Sequence, residues 1–147
     1  MTEFIVQKQV RINAPKLTVW LALTNPDLTQ KYFYGCRVDS TFVAGDRIKF
    51  KRKILWVFPF ELSGTILKVD RGNMLKYSLK NSRSASESTV SIELHDDAGK
   101  TLVYIMDDVG QEEGGEDRYT RSVKGWDKIL NGLKRVSEEE VYNADKN

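Results

Sequence analysis

The stretch that constrains this chain most lies near its C-terminus. At about 100° per residue, Trp126, Ile129, Leu130, Leu133 and Val136 fall within a stripe roughly 120° wide. Lys124, Lys128, Asn131 and Arg135 take the opposite face. Gly114-Gly115 frees the chain before this segment, and Glu116-Asp117 place acids at the positive end of a helix dipole. The spacing therefore predicts a long amphipathic helix that needs one broad apolar surface to lie on. Two details refine it. Gly125 and Gly132 stand seven residues apart at one edge of the stripe. Each costs about 1 kcal/mol relative to alanine inside a helix, so a strand or a second helix is expected to come close there. Arg118, Tyr119 and Ser122 project to the same side as Trp126, which makes the inward face polar at its start and apolar at its end. A helix that only plugs a core has no use for that gradient; a helix lining a cavity mouth does.

The rest of the chain supplies the surface. Residues 4–13 alternate as a strand, with Val6, Val10 and Ile12 on one parity. Asn13-Ala14-Pro15 interrupts it, and Pro15 suits the first turn of a helix carrying Leu17, Trp20 and Leu21. Pro26 turns Asn25 away from helical angles, and Asn25 or Asp27 caps a second short helix through Tyr32. A meander follows. Ile48 and Phe50 oppose Arg47, Lys49 and Lys51; residues 60–69 form a strand with Gly64 inside it, the mark of a bulge or sharp bend. After the turn Asp70-Arg71-Gly72-Asn73, Leu75, Tyr77 and Leu79 alternate with Met74, Lys76 and Ser78. Ser88, Val90, Ile92 and Leu94 oppose Thr89, Ser91 and Glu93. Asp96-Asp97-Ala98-Gly99 turns the chain into a last strand over residues 101–106. Strands joined by short turns, with helices near both ends, give an α+β layer fold with an antiparallel sheet.

Bulk numbers exclude several classes. The 147 residues fit one domain. A net charge of +2 gives no strong field toward nucleic acid or an anionic membrane. Cys36 is the only cysteine, so it makes no intramolecular disulfide, and no Cys/His spacing suits zinc. The first eight residues lack the basic start and apolar run of a secretory leader, and a reducing cytoplasm is the expected location. The longest apolar run, Ile54-Leu55-Trp56-Val57-Phe58-Pro59-Phe60, is far too short to span a bilayer.

An ordered set of motifs carries a family resemblance. Val10-x-Ile12-x-Ala14-Pro15, Val19-Trp20 and Thr24-x-Pro26-x-Leu28 resemble the opening of the AHSA1-like (activator of Hsp90 ATPase homologue-like) branch of the START/Bet v 1 (SRPBCC) superfamily. Val43-x-Gly45, the run Gly64 to Asp70 and Leu75-x-Tyr77 resemble its central strands, and Gly125-Trp126-x-x-x-Leu130-x-x-Leu133 its final helix. The resemblance implies a helix-grip fold: a curved antiparallel sheet of six or seven strands, two short helices after the first strand, and a long C-terminal helix across the concavity. The resemblance spans residues 4–137, and one such domain is expected over residues 1–137; the run 138–147 is polar and is expected to fray. The resemblance also implies a cavity between helix and sheet for a hydrophobic small molecule. Members include lipid and polyketide binders, some cyclases and an Hsp90 co-chaperone domain.

Candidate site residues follow from the polarity of the inward faces. Tyr34, Phe50, Phe60, Tyr77, Ile92, Tyr104 and Trp126 are expected to line the cavity, with Ser122 and Arg118 at its mouth. Arg118 either meets a ligand carboxylate or phenolate in a bidentate contact, or pairs with Asp117 or Glu113 at the surface. The run of residues 54–60 reads equally as a flap over the mouth, a strand buried on both faces, or a dimer surface. Arg47, Lys49, Lys51, Arg52 and Lys53 read as the solvated side of an edge strand. Asp107, Asp108, Glu112, Glu113, Glu116 and Asp117 lack the ligand order of a calcium loop and read as a solvated loop with a helix-dipole complement. No catalytic group, metal or cofactor is assigned. His95 beside its turn and Cys36 make no positioned dyad. Three functions fit: carrier or sensor of a small hydrophobic molecule, protein-interaction module, and enzyme on a polyketide-like substrate.

Overall fold

The computed structural model describes residues 4–52, 60–81, 87–110 and 114–145. In chain order the elements are β1 (Ile5–Ile12), α1 (Lys16–Thr24), α2 (Pro26–Thr29), β2 (Arg37–Ser40), β3 (Arg47–Arg52), β4 (Phe60–Asp70), β5 (Met74–Asn81), β6 (Glu87–Asp97), β7 (Lys100–Asp108) and α3 (Gly115–Asp145). Among the described residues, seven strands form one antiparallel sheet in the order β1-β7-β6-β5-β4-β3-β2. A meander from β2 to β7 is thus closed by β1 pairing with β7, and α3 lies against β1 and α1 on the concave side. This is the helix-grip arrangement.

The alternation read from the sequence sets the inward face. Ile48 and Phe50, Leu75 and Tyr77, Val90, Ile92 and Leu94, and Val103 and Ile105 are all buried. They meet Trp126, Ile129, Leu130, Leu133 and Val136 of α3, the stripe the periodicity predicts. Gly64 is required because β5 runs so close that a Cβ there would stand 1.6 Å from the Ser78 carbonyl oxygen. The register slips further along, between Ile66 and Lys68. The β6–β7 turn uses Ala98 and Gly99, at φ 53° and 84°, in the left-handed pair that suits a two-residue hairpin.

Several expectations need correction. β2 carries too few apolar residues to show in the pattern; it is held by pairing with β3 and by the buried Thr29 hydroxyl, which accepts from the Val38 N–H at 3.0 Å. On α1 the buried side chains are Val19, Trp20, Ala22 and Leu23, while Leu17 and Leu21 are exposed. α2 stops at Thr29 rather than reaching Tyr32; its N-terminus is capped by the Asn25 side chain, which accepts from the Asp27 N–H at 2.8 Å. The polar tail from Glu138 is helical rather than frayed. α3 continues to Asp145, because Glu138 accepts the Asn13 N–H at 2.9 Å and Val141 packs on the core.

Neither a strand nor a helix comes close at the glycine edge of α3. The turn after α2 does. A Cβ on Gly132 would lie 2.5 Å from the Tyr32 Cβ, and one on Gly125 would lie 2.6 Å from the Tyr34 hydroxyl. Tyr32 is locked in place by its own hydroxyl, which donates to the Ala22 carbonyl at 2.7 Å.

Candidate functional site

Between the first half of α3 and the inward faces of β4 to β7 lies a cavity of about 560 Å³. From the sheet, Leu62, Leu79, Ser88, Val90 and Asp107 line it, with Val109 just beyond β7. From α3 come Arg118, Arg121, Ser122, Gly125, Trp126 and Ile129, and the turn after α2 adds Phe33 and Tyr34. The gradient along α3 is thus reproduced in the walls: two arginines come first, then Ser122 opposite Asp107, then Trp126 and Ile129.

The turn at the rim is held from two sides. Tyr34 adopts φ 52°, a left-handed conformation that costs a tyrosine about 1 kcal/mol or more. The Arg52 guanidinium donates to its carbonyl at 3.0 Å, and its hydroxyl lies over Gly125. Arg118 spends its Nε on the Val109 carbonyl at 3.2 Å, which ties the start of α3 to the chain leaving β7.

Asp107 is the polar centre of the cavity. It is only 6% exposed. Its Oδ2 accepts from Ser122 Oγ at 2.6 Å and from Trp126 Nε1 at 2.8 Å. Its Oδ1 is buried without a hydrogen-bond partner among the described residues. Burial raises the carboxyl above the ordinary carboxylate range; the two hydrogen bonds pull the other way, and neighbouring Asp108 adds to the rise. By composition, Asp107 belongs with a solvated acidic loop. The structure places it inside β7, on the same parity as Thr101, Val103 and Ile105. That parity was the available signal.

The expected site residues divide. Tyr34, Arg118, Ser122 and Trp126 line the cavity. Phe50, Tyr77 and Ile92 do not line this cavity; they line a small gap behind Trp126. Phe50 stacks on Phe33 with centroids 4.3 Å apart and tilts against Tyr77 at 6.0 Å, so these rings fill the interior behind Trp126. Only about 20 Å³ remains among them, room for nothing beyond a water-sized group. Burial, followed by the charge of Asp107, drives the Tyr77 hydroxyl far above the usual phenol value, so it stays protonated. Tyr104 belongs to the other side of the sheet. It alternates with Val103 and Ile105, is exposed, and meets His95 edge to face at 5.2 Å. The Phe60 side chain lies outside the described residues, as do residues 54–59 of the apolar run, Lys53, Glu112 and Glu113.

Lys49 pairs with Glu61 and Lys51 with Asp39 on the solvated side of the sheet. No group of three or more His, Cys, Asp or Glu among the described residues is arranged to hold a metal. Cys36 is buried, and that burial, partly opposed by Arg52, raises its thiol. No helix among the described residues is long and apolar enough to cross a membrane.

Comparison with known proteins places this geometry. Among solved structures, a Cytophaga hutchinsonii protein, ChR145, is 28% identical, with 97% of this chain and 99% of that one covered at a TM-score of 0.75. Protein NE0264 from Nitrosomonas europaea is 22% identical over 92% of this chain and 95% of its own, also at 0.75. DynU16, described as a putative protein in the dynemicin biosynthetic locus, is 18% identical at a TM-score of 0.77; the match covers 93% of this chain but 48% of DynU16. No curated protein matches. The family model for Activator of Hsp90 ATPase homolog 1-like protein matches residues 13–138, from the end of β1 into the second half of α3. The chain therefore belongs to the Activator of Hsp90 ATPase homolog 1-like family.

Proposed function

We propose that this protein binds a small, mostly apolar molecule between α3 and the sheet, as a carrier or sensor. The observation that carries the reading is the cavity itself. Its volume, about 560 Å³, falls within the roughly 300–1,000 Å³ of small-molecule sites. Its walls combine Trp126, Ile129, Phe33 and Val90 with a few convergent polar groups. An apolar body is expected to lie along Trp126 and a polar end to face Ser122 and Arg118. The placement of DynU16 in a biosynthetic locus is in keeping with a small-molecule role. The buried free thiol of Cys36 suits a reducing compartment such as the cytoplasm.

One observation favours a second reading. The interior behind Trp126 is filled by Phe33, Phe50 and Tyr77 except for a gap of about 20 Å³, so the space for a ligand is confined to one end of the helix. An interaction module needs no internal cavity at all. Native mass spectrometry of the purified protein, followed by thermal melts against an apolar ligand panel, separates the two. A co-purified mass, or a melting temperature raised by panel members, is expected for a carrier. Unchanged melts and unchanged tryptophan fluorescence across the panel sink the carrier reading and leave the interaction module.

A further inference from the structure

We infer that the basic groove between α3 and the turn after α2 docks an extended acidic segment of a partner protein, a role separate from the ligand cavity. The groove holds about 460 Å³ and shares only Tyr34 with that cavity. Lys31, Lys128 and Arg135 line it together with Tyr32, Tyr34 and Asn131, and among the described residues no acid does. A second groove, of about 530 Å³, meets the first at Gly35 and sets Arg37, Lys51 and Arg52 against the single acid Asp39. The two grooves gather six cations and one acid, in a chain whose 23 Lys and Arg are nearly balanced by 21 Asp and Glu. The small net charge therefore conceals a local field of one sign, and a concave wall focuses it.

The cations stand where a chain can run past them. Arg121, Lys128 and Arg135 are seven residues apart, which puts them nearly in line along α3 at intervals of about 10 Å. An extended peptide covers that interval in about three residues, so a run of Asp and Glu meets each in turn. Competition from within the molecule is weak. Lys128 makes no ion pair among the described residues. Arg135 reaches Glu139 only at 3.9 Å and Lys31 reaches Glu140 only at 4.0 Å, and exposed pairs at such distances yield to a better partner. The floor is already rigid. Gly132 lets the turn close on α3, the Tyr32 hydroxyl donates to the Ala22 carbonyl at 2.7 Å, and Arg135 donates to the Lys31 carbonyl at 3.3 Å. Little is left to be ordered on binding. Asn131 adds an exposed amide that can both donate to and accept from a peptide backbone. Single-stranded nucleic acid is the other extended polyanion, but it is held largely by bases stacked on aromatic rings. Here Tyr32 is tied down by its hydroxyl, and Tyr34 is braced over Gly125 and edge to face on Phe33, so both rings are committed to the fold.

The test is fluorescence anisotropy on the whole protein with labelled probes: a Glu-rich peptide, its Gln counterpart and a single-stranded oligonucleotide of matched length. The Glu peptide is expected to bind about tenfold or more tightly than the Gln peptide, and to weaken as salt is raised. Lys128→Glu combined with Arg135→Glu should lower its affinity about tenfold or more. Arg71→Glu combined with Lys100→Glu, exposed at the β4–β5 and β6–β7 turns, changes the net charge equally and should lower it far less. Melts establish that both variants fold, and the probe comparison on the unaltered chain stands whatever they show. Equal losses in the two variants would mean that only the overall charge is felt, and overturn the site. A Gln peptide that binds as well as the Glu peptide, or no binding by the Glu peptide, overturns the proposal outright. An oligonucleotide preferred over the Glu peptide overturns the choice of a protein partner. None of these outcomes bears on the ligand cavity, which Lys128 and Arg135 do not line.

Discussion

At the scale of single residues, the two glycines of α3 make different demands. A methyl group at Gly132 would collide with the Tyr32 Cβ at 2.5 Å, an atom fixed to the backbone and braced by the Tyr32–Ala22 hydrogen bond. A methyl at Gly125 would meet only the tip of Tyr34. Helix propensity favours alanine at both by about 1 kcal/mol, while overpacking costs about 1–3 kcal/mol. Gly132→Ala should therefore destabilise by about 1 kcal/mol in urea unfolding, with about 2 kcal/mol as the upper end, and Gly125→Ala should be near neutral. A neutral Gly132→Ala would show that the turn after α2 is softer than its hydrogen bond suggests. Asp107 yields a prediction with a definite sign. Its carboxyl is raised in the folded state by burial, so folding favours the protonated form. The stability it contributes is greatest below the ordinary carboxylate range and is lost as pH rises through its raised value. Asp107→Asn, which keeps an acceptor for Trp126 and Ser122, should be more stable than the parent at neutral pH. Its advantage should shrink as the pH falls, which melts on both proteins across that range would check.

At the scale of elements, alternation was legible wherever a strand faces solvent on one side. Leu75-x-Tyr77 and Val90-x-Ile92-x-Leu94 sit where their parity puts them. The same rule places Tyr104 outside and Asp107 inside. A strand end at 106 leaves Asp107 in the loop, and the aromatic character of Tyr104 suggests a pocket that its parity contradicts. Residue chemistry and periodicity disagree at both positions, and in β7 periodicity wins. What parity does not encode is whether an inward side chain fills space or lines it. Phe50 and Tyr77 face inward as expected, yet ring stacking with Phe33 closes the gap. The end of α3 was illegible for a related reason. A polar run of residues looks like a frayed tail until its partner is known, and Glu138 finds its partner at Asn13, far away in sequence. Truncating the chain after Ser137 removes that bond and the packing of Val141. The expected loss is about 1–2 kcal/mol. For a chain of this size, that amounts to a melting temperature lower by several degrees. A truncated chain that melts with the full one would mean that the last turns of α3 add nothing.

At the scale of the whole molecule, the fold was legible because two independent signals agree. Period-two strands demand a cover for one face of a sheet, and the α3 stripe is a cover of the right length. The cavity was legible only as the polarity gradient along α3. Its position follows from where that helix meets large rings and where it meets small or polar groups. Behind Trp126 the sheet offers Phe50 and Tyr77, and the interior closes; before it the sheet offers Ser88, Val90 and Asp107, and space remains. If the empty end is kept for a ligand rather than left by poor packing, filling it should separate stability from binding. Ser88 is half-buried on the cavity wall, outside the Asp107 hydrogen bonds. Ser88→Phe would bury a ring against Val90 and Trp126 without displacing a core residue. The variant is expected to melt at or above the parent temperature, because apolar area leaves water. It should also lose the ligand-dependent rise in melting temperature that any folded-state binder produces, about 2.7 kcal/mol at a hundredfold excess over Kd. A variant that is stable and still shifts with ligand would move the binding site elsewhere on the molecule. A variant that unfolds would show that the wall at Ser88 is already fully packed, contrary to the cavity described between α3 and β6.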